Sequence, residues 1–273
     1  MKRIAPAVLL GLLAGFQGGL FGVGGGIVMV PGMVLFLAIP QHRAHATSLA
    51  AMIFSTSAAV VPLAMDNRID WDTAGFLVIG SMAGAYLGAR LFSRIPEIWL
   101  AGGFTALALA SAVRMLIERE ATGAATTGTS ALNASWPGII GFVLIGFGAG
   151  VLGALMGVGG GIVNVPALVT LYTFEQHLAQ GTSLAVIIPT AIVATLTHSR
   201  RGHVDWRLAT TLASGGLAGG WLGGRTALAI EGPVLRILFV CFLLLMVARM
   251  MFRTWKRSLA GRAAATTPQA EAR

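Results

Sequence analysis

The sequence is poor in charge and in cysteine. Only 11% of its 273 residues are charged and ten are acidic, whereas soluble domains average roughly a quarter charged. Water is a poor solvent for such a chain, so a soluble globular protein is excluded. The single cysteine, Cys241, excludes a disulfide framework and a cysteine metal site. Because the apolar blocks contain almost no Asp, Glu or Lys, we expect neither an enzyme nor a cofactor.

Hydrophobic residues make up 56% of the chain and lie in long blocks. A block of about 20 apolar residues matches the roughly 30 Å hydrocarbon layer of a bilayer at about 1.5 Å per helical residue. The pattern predicts an all-α integral membrane protein with about eight transmembrane helices. The apolar segments are 4–39, 44–65, 73–92, 97–117, 136–174, 178–199, 208–230 and 233–252.

The chain repeats itself at an offset of 135 residues. GGLFGVGGGIVMVP at 18–31 aligns with GALMGVGGGIVNVP at 153–166, and QHRAHATSLA at 41–50 aligns with QHLAQGTSLA at 176–185. Two motifs in one ungapped register predict two homologous transmembrane halves, residues 1–117 and 136–257. Between them, 118–135 has the composition of a flexible linker, and 258–273 is predicted to be a disordered basic tail. Internal duplication is common in secondary transporters.

The first segment of each half is too long for one straight helix. Residues 4–39 would span about 54 Å, so the helix must break, and the GVGGGIVMVP block is the expected place because Gly costs about 1 kcal/mol and Pro about 3 in a helix interior. One broken crossing would give eight crossings and parallel repeats. A hairpin would give an odd number of crossings per half and inverted repeats. The sequence leaves both arrangements open.

The net charge of +9 is concentrated at the chain ends and between apolar blocks. With one crossing per segment and the N-terminus inside, 14 of the 19 Lys and Arg residues lie on the inner side. The five outer residues are Arg43, Arg90, Arg94, Arg225 and Arg236. The excess predicts that both termini are cytoplasmic. The charge is therefore explained by membrane orientation, and we expect no nucleic-acid partner.

The two repeated motifs provide the candidate substrate site. Glycines at the breaks allow backbone to approach a ligand, and a helix that restarts at Ile27 or Ile162 directs a partial positive charge at the gap; alternatively, the glycines only let helices pack. Hydroxyl, amide and imidazole groups of the second motif can donate to an anion, or else bond their own helix and the water interface. The candidates are Gly24, Gly25, Gly26, Gln41, His42, Thr47, Ser48, Gly159, Gly160, Gly161, Asn164, Gln176, His177, Thr182 and Ser183.

Two glycine-rich GVGGGxVxVP blocks, each followed by QHxAxxTSLA, resemble the sulfite exporter TauE/SafE family of membrane permeases over about residues 9–252. The resemblance implies a secondary transporter of small anions, mainly sulfur-containing ones such as sulfite, sulfonates or thiosulfate, in the lipid of a cell inner membrane. A membrane-embedded enzyme and a structural or assembly subunit are the alternatives. The anion, the direction of transport, the coupling ion and the association of copies into a homo-oligomer stay open.

Overall fold

The computed structural model describes residues 4–91, 109, 110, 112, 113, 115 and 136–265, with side chains described to residue 248. The predicted linker 118–135 and most of the segment 97–117 lie outside the described residues, as do 266–273 of the predicted tail. Within the described ranges every regular element is an α-helix. The helices are α1 (Ile4–Phe21), α2 (Gly26–Phe36), α3 (Gln41–Met65), α4 (Trp71–Leu91), α5 (Trp136–Met156), α6 (Gly161–Leu171), α7 (Gln176–Ser199), α8 (Trp206–Ala229) and α9 (Gly232–Ala265).

Five of the described helices are long and apolar enough to cross a membrane, namely α1, α3, α4, α5 and α7. The short apolar helices α2 and α6 have 11 residues each and extend only about 16 Å, half of the hydrocarbon layer. The structure therefore confirms a multi-pass helical membrane protein. The last helix runs through 258–265, into the segment predicted as tail.

The first segment of each half breaks at its glycines, as predicted. Between α1 and α2, Gly22, Gly24 and Gly25 have φ angles of 72°, 85° and 84°, a left-handed region that glycine enters without steric cost. The equivalent glycines between α5 and α6 also have positive φ. Pro31 and Pro166 lie inside the restarted helices, so the glycines alone make the breaks. We call 22–25 the first break and 157–160 the second break.

The short helix α2 folds back along α1. Gly18 of α1 packs against the backbone of Gly24 and Gly25, while Gly32, near the far end of α2, packs against Leu10. Residues 4–39 thus form a hairpin, and the alternative of one broken crossing is wrong for this segment. The left-handed glycines allow the reversal within four residues.

Two helix pairs hold the halves together: α1 packs on α8, and α5 packs on α4. Both contacts use glycines spaced four residues apart on α4 and α8, a pattern that allows close helix packing in membranes. A Cβ atom on Gly84 of α4 would lie 2.1 Å from the carbonyl oxygen of Phe147, and one on the equivalent Gly219 would lie 2.0 Å from that of Leu12. Each pair joins one half to the other, so neither half packs as a separate unit.

The central helices α3 and α7, which are equivalent in the repeat, run in opposite directions. The N–H of Asp205, just after α7, donates to the Thr47 hydroxyl near the start of α3 at 3.1 Å. The N–H of Asp70, just after α3, donates to Thr182 near the start of α7 at 3.0 Å. The start of each helix therefore lies beside the end of the other, and the two halves are inverted repeats.

Because the two halves are inverted repeats, some arginines lie at a different end of the bundle from the one expected with one crossing per segment. Arginines gather at the end where α3 and α8 begin and α4 and α7 end, here called the basic end: Arg43, Arg90, Arg200, Arg201 and Arg207. The opposite, acidic end holds Asp66, Asp70, Asp72, Glu175 and Glu231 beside Arg68, Arg225 and Arg236. Arg201 donates to the carbonyls of Ala89 and Arg90, which fixes the ends of α7 and α4 together. Arg43 and Arg90, expected at the outer side, thus share the end at which α1 begins.

Candidate functional site

The two breaks pack against each other at the centre of the bundle. A Cβ atom on Gly26 would lie 2.1 Å from the carbonyl oxygen of Gly157, and one on Gly161 would lie 2.5 Å from that of Gly22. Each short helix therefore starts against the break of the other half. In this structure the glycines of the breaks permit close approach between two backbones.

A serine from each half bonds the break of the other half. The Ser48 hydroxyl donates to the carbonyl of Gly157 at 2.8 Å and also contacts the His45 carbonyl of its own helix. The Ser183 hydroxyl donates to the carbonyl of Gly22 at 2.9 Å. Both serines are fully buried. The structure thus brings the serine of each predicted hydroxyl pair to a break, whereas Thr47 and Thr182 accept from the N–H groups of Asp205 and Asp70.

The predicted Gln–His pairs lie at opposite ends of the bundle. Gln41 and His42 begin α3 at the basic end, where His42 is exposed. Gln176 and His177 begin α7 at the acidic end and are buried. His177 has its Nε2 near the carbonyls that end α8 and its Nδ1 3.2 Å from Glu175. The repeated pairs therefore sit in unequal environments and do not converge on one site with the glycines.

Positive side chains outnumber acidic ones at the basic end. His203 lies in the turn between α7 and α8, with its ring centroid 5.9 Å from that of His42. Burial lowers the pKa of His203, and the nearby His42, Arg201 and Arg43 lower it further. An anion that approaches this end meets a positive field without a matching number of acidic side chains.

The short helices start without side-chain caps. Gly25 and Gly160 are the N-cap residues of α2 and α6, and neither helix receives a side-chain hydrogen bond there. The first backbone bonds inside α2 run from Val28 and Met29 to the Gly25 carbonyl. The N–H groups of Gly25, Gly26 and Ile27 make no such bond. Both N-termini are buried and pack against the break of the other half, and a helix N-terminus with free N–H donors is suited to negative charge.

Two apolar side chains fill the space between the breaks. Met52 of α3 and its repeat equivalent Ile187 of α7 are both fully buried. A Cβ atom on Gly24 or on Gly159 would lie 2.5 Å from the Met52 terminal methyl group, and Ile187 approaches the same two glycines. Met52 is flexible and adapts to irregular gaps. Its methyl group therefore occupies the space that a ligand at the breaks would enter.

Sequence reasoning missed three polar residues beside the breaks, of which His45 is partly buried and Gln180 and Thr56 are fully buried. Nδ1–H of His45 donates to the Met156 carbonyl at the end of α5. Gln180, its repeat equivalent, and Thr56 of α3 are buried, and Gln180 and Thr56 have no hydrogen-bond partner. The only signal was a polar residue at the fifth position of both QHxAxxTSLA motifs. Thr56 corresponds to Ala191, so a search for repeated residues passes over it.

Asn164 is a predicted site residue that lies inside the short helix α6, three residues after its first residue, Gly161. Its side chain is fully buried, and neither amide atom has a hydrogen-bond partner. In the repeat it takes the place of Met29, which is buried and apolar. An unpaired buried amide is costly, so Asn164 stays a candidate donor to a polar ligand.

The family model described as Sulfite exporter TauE/SafE matches this chain twice, at residues 7–154 and 142–272. The probable membrane transporter protein YunE of Bacillus subtilis is 29% identical over 244 residues, covering 82% of this chain and 87% of the relative. A probable membrane transporter protein of Xylella fastidiosa is 27% identical over 248 residues, covering 90% and 94%. Sulfite exporter TauE/SafE family protein 3 of Arabidopsis thaliana is 36% identical over 85 residues, 31% of this chain and 18% of the relative. No solved structure matches.

Proposed function

Because this chain belongs to the sulfite exporter TauE/SafE family, a family of membrane transporters, we propose that it is a secondary permease for small sulfur oxyanions such as sulfite or organosulfonates. One observation carries the choice of an anion: two buried, uncapped helix N-termini meet at the centre of the bundle. Their free N–H groups and helix dipoles favour negative charge without a buried Lys or Arg. Neutral donors also hold an anion weakly enough for release.

Inverted repeats give this permease a route to alternating access. Many transporters built from inverted repeats place broken helices at the repeat interface near the bilayer midplane and expose the site to each side by moving one repeat against the other. Here the breaks of both halves touch, and the serine bonds that cross between them are equivalent in the two halves. Movement of one half can therefore open the breaks toward either end of the bundle.

Transport by the purified protein tests the proposal. In proteoliposomes loaded with buffer, we expect saturable uptake of radiolabelled sulfite, reduced by excess thiosulfate or a short sulfonate. Protein-free liposomes of the same lipid provide the control. A reconstituted, folded protein that moves none of these anions would contradict the proposed substrate class and favour an enzyme or an assembly subunit.

We also propose that both termini are cytoplasmic in the inner membrane. The basic end would face the cytoplasm under the positive-inside rule, and α1 begins at that end. The same orientation follows from the one-crossing count, but now Arg43 and Arg90 belong to the inner side.

Single-cysteine labelling in cells distinguishes this orientation in the membrane from the reverse orientation. With Cys241→Ser as background, we expect a membrane-impermeant maleimide to label Asp72→Cys, an exposed position at the acidic end, from the periplasmic side. Arg43→Cys, exposed at the basic end, should react only after the membrane is permeabilised. Labelling of Arg43→Cys in intact cells with Asp72→Cys protected would reverse the orientation.

A further inference from the structure

The two breaks differ in the side chains that surround them. Just before the second break, in the last turn of α5, His45 donates to the Met156 carbonyl and Nε2 of His198 lies 3.3 Å from the Ala154 carbonyl. At the equivalent positions of the first break the chain has Gln180 and Leu63. Two histidines thus contact backbone in the last turn of α5, just before the second break, and among the described residues the first break has no counterpart of either contact.

Gln180 lies directly against the first break. A Cβ atom on Gly22 would lie 2.8 Å from the Gln180 Cα and 3.0 Å from its Cγ. The Gln180 side chain is fully buried, and both its amide oxygen and its amide nitrogen lack a hydrogen-bond partner. A buried amide without a partner costs free energy, which a ligand with hydrogen-bond acceptors would recover.

Thr56 lies on the other side of the first break. Its Oγ1 is 3.3 Å from the position of a Cβ atom on Gly24, next to the N-terminus of α2. The side chain is 1% exposed, and its hydroxyl has no hydrogen-bond partner. Ala191 takes its place at the second break. An unpaired hydroxyl therefore lies beside the N-terminus of α2, whereas the unpaired side chain on α6 is the Asn164 amide.

We propose that the first break is the single anion site of the protein, with Thr56 and Gln180 as side-chain donors. This inference rests on the proposed transport function and deepens it. The donors come from α2, α3 and α7, so they approach one ligand from three elements. That arrangement fits an oxyanion with several acceptor oxygens better than a halide ion. Rotation of the flexible Met52 side chain away from Gly24 makes the room, and the second break serves as a structural counterpart without a bound anion.

The test compares matched threonines in sulfite transport and binding. Thr56→Val removes the hydroxyl and keeps the shape, and we expect the KM for radiolabelled sulfite to rise roughly tenfold or more, as for loss of a hydrogen bond to a charged ligand. Thr195→Val is the control, because Thr195 is also fully buried without a partner but lies about 12 Å along α7 from Ile187. Its KM should stay within about twofold of wild type. Gln180→Leu should also raise the KM.

Equilibrium binding to detergent-purified protein gives a second readout. We expect one radiolabelled sulfite per chain, displaced by thiosulfate and not by chloride at equal concentration. Two sulfites per chain, or equal KM values for Thr56→Val and Thr195→Val, would overturn the single site while leaving transport itself intact. Absence of sulfite, thiosulfate and sulfonate transport by wild type would instead refute the proposed function.

Discussion

Replacing Gly84 with alanine is expected to destabilise the folded protein by about 3 kcal/mol, the upper range for overpacking a well-packed contact. The added Cβ would lie 2.1 Å from the carbonyl oxygen of Phe147. Because that neighbour is helix backbone, it can yield only if α4 and α5 separate along their whole interface. A change of this size lowers the melting temperature by roughly 6–12 °C on the scaling for chains of similar length.

The chain supplies a matched control on the same helix. An alanine Cβ at Gly75 of α4 meets no atom within 4 Å, so Gly75→Ala should keep or slightly raise stability, since alanine favours helix by about 1 kcal/mol over glycine. Gly219→Ala, the repeat equivalent of Gly84→Ala, should behave like it. The melting temperatures of the three detergent-solubilised variants are measured by heating each sample and quantifying the remaining folded protein by size-exclusion chromatography. Equal melting temperatures for Gly84→Ala and Gly75→Ala would show that the close helix contact is wrong.

Removing both serine hydroxyls that cross between the halves has the second large expected effect. In Ser48→Ala with Ser183→Ala, the carbonyls of Gly157 and Gly22 lose their buried donors. Each unsatisfied carbonyl costs about 1–3 kcal/mol, so the double variant should lose about 2–6 kcal/mol of stability. Ser57→Ala is the control, because the Ser57 hydroxyl bonds only the Ile53 carbonyl of its own helix.

The same variants separate a structural role of these hydroxyls from direct substrate binding. If the hydroxyls mainly hold the breaks, melting temperature and transport rate should fall together while the KM of each single variant changes little. A raised KM with wild-type melting temperature would instead return Ser48 and Ser183 to the anion site as direct donors. Thermal melting and uptake kinetics on the same preparations decide between the two.

The fold class and the breaks could be predicted because they depend on local sequence. Long apolar blocks require helices in a membrane, and glycine triplets in a segment of 36 residues require an interruption. The direction of the second half could not be predicted. It depends on whether the chain turns back at Gly24 and Gly25, and the positive φ of these residues is compatible with glycine but not required by it.

The candidate site was predicted in part for a related reason. Repetition identified Ser48, Ser183 and the glycines, which inverted symmetry does bring together. It also selected Gln41 and Gln176, which the same symmetry sends to opposite ends of the bundle, because each begins a helix that runs the other way. Thr56 was missed since its equivalent is Ala191. A site placed near a symmetry axis can bind one asymmetric ligand only through such unrepeated residues.

The serine bond to the first break also sets an order of events during synthesis. Ser183 follows Gly22 by 161 residues, so at about 5–20 residues per second the ribosome needs roughly 8–30 s to deliver it. During that interval the first hairpin is already in the membrane, with its Gly22 carbonyl unpaired and the glycine face of α1 uncovered until α8 arrives. The first break therefore reaches its final packing only after α7 and α8 have been synthesised. A chain truncated before Ser183 should therefore be degraded by membrane proteases faster than the full chain.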